Sequence, residues 1–83
     1  MSKSLLSGPK LSEVIEGVET TFLLFSRPVR VVVTAEALQA FCDAGDSPAS
    51  WLQAATLNTE AIEQAARAAF SQSNKATVVL QRL

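Results

Sequence analysis

The chain contains no histidine and no tyrosine, a single cysteine, and only three glycines and three prolines. Without histidine, the Ser-His-Asp and Cys-His nucleophile systems are excluded in their usual form, and the commonest metal ligand is missing. The lone thiol, Cys42, can form no internal disulfide, and a Cys-only metal site needs several such ligands. Gly8, Gly17 and Gly45 stand apart from one another, so there is no Gly-rich phosphate loop. Charge of either sign is sparse, with seven basic and eight acidic residues, a net charge of -1 and a pI near 5.2. The basic footprint that a phosphate backbone requires is therefore absent overall.

Long hydrophobic runs are lacking as well. No segment approaches the ~18 consecutive apolar residues of a membrane span. Met1 to Pro9 offers only Leu5 and Leu6, against the ~7–15-residue apolar core of a signal peptide. These absences, with a single cysteine, lead to the expectation of a protein in the reducing cytoplasm that needs no metal or cofactor.

What is present is core material. Hydrophobic residues make up 48% of 83 residues, which suits one small folded domain and no disordered class. Met1 to Pro9, Ser-rich and closed by Gly8 and Pro9, is read as a mobile tail, leaving residues 10–83 as a single α+β domain. Lys10 to Gly17 is open at this stage. Ser12 could cap a short helix carrying Val14 and Ile15, or the stretch could be irregular or extended.

Val18 to Phe25 is β-branched and aromatic with a period of two, as a strand requires. Ser26-Arg27-Pro28 is a turn signal, and Val29 to Thr34 follows as a second strand, antiparallel to the first across so short a connection. Thr34 suits a helix N-cap, with Glu36 in the first turn and Leu38, Phe41 and Cys42 on one side. Gly45 suits the stop of that helix. Ser47-Pro48 starts another, with Trp51, Leu52 and Ala55 as its apolar stripe. Asn58 or Thr59 opens the longest helix, whose stripe is Ile62, Ala65, Ala66, Ala69 and Phe70. Ala76 to Leu83 alternates as a closing strand. The predicted order is β-β-α-α-α-β: a three-stranded sheet of hairpin and last strand, covered on one face by two or three helices. The direction of the last strand is not fixed by the pattern.

The helix-facing side should carry Phe22, Leu24, Val29, Val31, Val33, Val78 and Leu80. The opposite face should carry Thr21, Leu23, Phe25, Arg30, Val32, Thr77 and Val79, too apolar for a fully solvated surface. Either the tail or the Lys10–Gly17 segment folds over it, or it is an interface with a protein partner or a second copy, through the face or an exposed strand edge. The candidate interaction residues are accordingly Leu23, Phe25, Arg27, Arg30, Val32 and Val79.

Other constellations carry less. Phe25 with Arg27 and Arg30 could stack bases of a single strand, but a second aromatic platform and a basic surround are missing. Asp43 and Asp46 could serve carboxylate-based catalysis or hold a hard cation, yet no further acidic ligand follows, and capping a turn is the plainer role. Cys42 beside Phe41 and Asp43 fits a buried structural thiol. Trp51 fits core packing better than a binding hot spot. Glu13, Glu16 and Glu19 form an acidic run that fits a solvated face, or a basic partner.

The run Val29-Arg30-Val31-Val32-Val33-Thr34-Ala35-Glu36-Ala37-Leu38 resembles the strand followed by Thr/Ser-x-Glu-Ala-Leu found in a family of short bacterial domains of unknown function. That family continues with Ile-Glu-x-x-Ala-x-x-x-aromatic and a closing strand, matched here by Ile62, Glu63, Ala66 and Phe70 and then Val78 to Leu80. The resemblance covers most of the chain after Val18 and departs at the hairpin, which is shorter and less polar here. It implies a compact α+β fold and no particular chemistry. The expected role is a small interaction or regulatory module that works by contact rather than catalysis, with a homodimer as one form of that contact.

Overall fold

The computed structural model describes residues 5–73 and 75–81. Its elements are β1 (Leu5–Leu11), β2 (Gly17–Leu24), β3 (Arg27–Thr34), α1 (Ala35–Phe41), α2 (Pro48–Leu57), α3 (Thr59–Ser73) and β4 (Thr77–Leu80). The sheet has four strands in the order β1-β2-β3-β4, not the expected three. The added strand comes from the stretch read as a tail. Gly8 and Pro9 look like breakers, but on an edge strand a missing N–H can face solvent, and register shifts on either side of Ser7 absorb the misfit. Leu5 lies opposite Phe22 and packs on the core, and the Thr20 hydroxyl donates to the Ser7 carbonyl where the ladder is irregular. The part of the tail reading that covers Met1 to Ser4 lies outside the described residues.

β2 and β3 pair antiparallel without interruption, from Gly17 opposite Thr34 to Leu24 opposite Arg27. The turn is Phe25-Ser26, earlier than the Ser26-Arg27-Pro28 signal suggested. Both residues have positive φ, 51° and 66°, the primed turn geometry that matches strand twist. Pro28 is consequently inside β3. The Arg30 N–H points to the β4 side, donating to Ala76 O at 2.8 Å, so by the period of two the missing N–H of Pro28 also faces that side. β4 begins only opposite Arg30, and no ladder bond is lost.

β4 runs parallel to β3, which settles the direction left open by the pattern. A parallel return requires a long crossover, and the three helices supply it. Thr34 caps α1 by accepting from the Ala37 N–H at 3.1 Å, and Ser47 caps α2 by accepting from Ser50 N–H at 3.3 Å with Pro48 at its first position. α1 ends before Gly45. Cys42 is its C-cap, and Asp43 takes the left-handed conformation at φ 55°. Phe41, expected on the apolar side, is exposed; this short helix buries Ala35, Ala37 and Leu38 instead.

All seven residues expected on the helix-facing side are buried: Phe22, Leu24, Val29, Val31, Val33, Val78 and Leu80. Against them pack Leu38, Trp51, Ile62, Ala66 and Phe70 in one cluster. Trp51 is a core residue whose indole N–H donates to Gly45 O at 2.9 Å, so its polar edge is satisfied while its rings are buried. The small side chains of α3 lie at Ala65, Ala66 and Ala69, where bulk would hold the helix off the core.

Gly17 is the tightest point of the frame. Its φ is +157°, and a Cβ there would collide with the Val33 carbonyl oxygen across the ladder. Backbone, not a flexible side chain, occupies that space, so the collision can be relieved only by moving β2 from β3. Gly17→Ala is therefore expected to lower unfolding stability by about 3 kcal/mol, read as a fall in the urea midpoint. A loss under about 1 kcal/mol would show that this approach is not a fixed feature of the hairpin.

Candidate interaction surface

Strand pleating sends alternate side chains to opposite faces. The face away from the helices carries Glu19, Thr21 and Leu23 from β2, Arg30 and Val32 from β3, and Thr77 and Val79 from β4. Val32 lies between Glu19 and Val79 in register, and Arg30 between Thr21 and Thr77. Leu23 is 40% and Val79 52% exposed, whereas Val32 is only 8% exposed.

The difference goes with the segment between β1 and β2. Ser12 forms no helix. Its hydroxyl oxygen accepts from the N–H groups of Val14 and Ile15 at 3.3 and 3.4 Å, and its own N–H donates to Gly17 O at 3.1 Å. The Ala35 N–H donates to Glu16 O at 2.8 Å and ties the far end of the loop to the start of α1. So braced, the loop places Val14 and Ile15 beside Val32 and Val79, and the four line an open hollow of about 190 Å³ to which Glu19 and Arg30 also contribute. The expectation that the Lys10–Gly17 segment folds over this face is thus met in part: the loop walls one side, while Leu23 and Val79 stay exposed. Lys10 on β1 reaches Glu19 at 3.5 Å, while Glu13, Glu16 and Arg30 make no ion pair among the described residues.

Phe25 does not belong to this face. It sits in the turn, and its ring stacks on Phe70 of α3 with centroids 5.8 Å apart and planes 16° from parallel. The Arg67 guanidinium carbon lies 5.7 Å from the Phe25 ring centre, and the Arg67 Nε donates to Glu63 at 3.3 Å. Arg27 lines the same shallow depression as Phe25, Phe70 and Ser71. Arg30, three residues further along a strand of period two, is on the opposite side of the sheet. The base-stacking set of Phe25, Arg27 and Arg30 is therefore divided between two surfaces. Phe25, though 58% exposed, clasps the hairpin tip to α3.

The remaining candidates resolve locally. Burial raises the Cys42 thiol above its ordinary pKa, which disfavours the thiolate that a reactive cysteine needs. Asp46 accepts from the Gln39 side-chain amide at 3.3 Å, bracing the loop after α1, and Asp43 is exposed. A larger depression of about 470 Å³ at the α2–α3 junction is lined by Leu5 and residues 56–61, with Glu60 as its one charged side chain.

The pattern offered Lys10–Gly17 as one possible cover for this face but did not single out Val14 and Ile15 as the wall. Its signal was present: an apolar pair, Val14-Ile15, set among acidic residues immediately after Ser12. Compared with protein-family models, curated proteins and solved structures, the chain matches none.

The clasp can be measured. A double-mutant cycle on Phe25→Ala and Phe70→Ala should return a coupling of about 0.5–1.5 kcal/mol in unfolding free energy, the range for paired aromatic rings. Additive losses would mean that the two rings contribute independently.

Proposed function

We propose that the chain is an interaction module that works by contact, through the face of the sheet opposite the helices. The observation that carries this is the apolar cavity between the Ser12–Glu16 loop and β4, open beside Val79, which is half exposed at the centre of a short edge strand. Large side chains of this kind ordinarily avoid water. Here the loop, braced at both ends, covers Val32 and leaves Val79 accessible. Charged groups of both signs border the cavity, the usual arrangement of an apolar contact with a polar rim.

A photoreactive amino acid at Val79 tests this in the living cell. A discrete cross-linked adduct is expected from position 79 and not from Glu60, in the helical layer. The adduct mass distinguishes a second copy of the chain from a different protein. Adducts of equal yield at both positions, or none at Val79, would contradict the assignment of the contact to this face.

A further inference from the structure

Given an interaction module that works through this face, we propose that its partner is a second copy of the chain, each copy inserting Val14 into the cavity of the other beside Val32 and Val79. Val14 is 86% exposed, more than any other large apolar side chain described. It stands at the edge of an open hollow of about 190 Å³ that Val32 and Val79 also line. A knob and a hole side by side on one surface are self-complementary about a two-fold axis, and such pairing closes at two copies.

The charges fit the same operation. Within one copy Lys10 takes Glu19, while Arg30, which lines the cavity, is left without a carboxylate among the described residues. The loop that delivers Val14 also carries Glu13 beside it, so the incoming knob brings a carboxylate toward the recipient's Arg30. This balance of signs favours a second copy over a nucleic acid, which would need a face of one positive sign.

Sedimentation equilibrium of the full chain from micromolar to millimolar concentration tests the pairing. A monomer–dimer equilibrium is expected. Val14→Asp should weaken it at least about tenfold, as for a central apolar contact, and Arg30→Glu should weaken it about fivefold. Adding Glu13→Arg to Arg30→Glu should restore most of that loss. All three positions are exposed in the monomer, so the thermal unfolding of dilute variants should be unchanged, separating lost pairing from lost folding. A strict monomer at every concentration, or a dimer indifferent to Val14→Asp, would overturn the proposal. A strict monomer that still forms a discrete adduct of other mass at Val79 would overturn self-pairing alone. Failure of both measurements would remove the contact function as well.

Discussion

The unbroken ladder between β2 and β3, eight residue pairs long, is the interaction on which the rest depends. It places Val18 opposite Val33, Thr20 opposite Val31 and Phe22 opposite Val29, all buried and all on the helix side. A one-residue slip of β2 would turn its buried set outward and send Glu19 into the core, and a slip of β3 would do the same with Arg30; an unpaired charge there is costly. Gly17 holds one end of the register because only a residue without Cβ can lie against the Val33 carbonyl. At the other end the Phe25-Ser26 turn is held by a ring stacked on α3. The outer strands are added to this frame, β1 with irregular register and β4 over only four residues.

Where local pattern and burial agree, the sequence was legible. The period-two alternation of Val29 to Val33 and the period of Ile62, Ala66 and Phe70 identified the strand, the helix and their inward faces. Thr34 and Ser47-Pro48 marked two helix starts through an elementary need, the satisfaction of free N–H groups. The pattern failed where tertiary context overrides a local rule. Gly8 and Pro9 signify a break in isolation, but not on a bulged edge strand. Phe25 is an improbable residue for a left-handed turn position; its stacking on Phe70, some forty-five residues later in the chain, cannot be anticipated from the hairpin alone. The same applies to Gly45, displaced as a helix stop by Asp43.

For the candidate site, the composition of the outer face was legible and its arrangement was not. Leu23, Arg30, Val32 and Val79 lie on it as alternation requires. Phe25 and Arg27 leave it, the first because the turn begins one residue sooner and the second because an odd spacing on a strand changes face. The loop that gives the surface its relief depended on hydrogen bonds to Ser12 and from Ala35, which no periodicity encodes. What results is a sheet face with a wall on one side, an apolar hollow beside the wall, and the most exposed valine of the chain at its lip.

The most direct test of that surface is an isotope-filtered nuclear Overhauser experiment on an equal mixture of carbon-13-labelled and unlabelled chain at high concentration. Contacts between Val14 methyls of one copy and Val79 methyls of the other are expected, together with none between α3 residues of different copies. Val14 methyl contacts found only within a single chain would contradict the account.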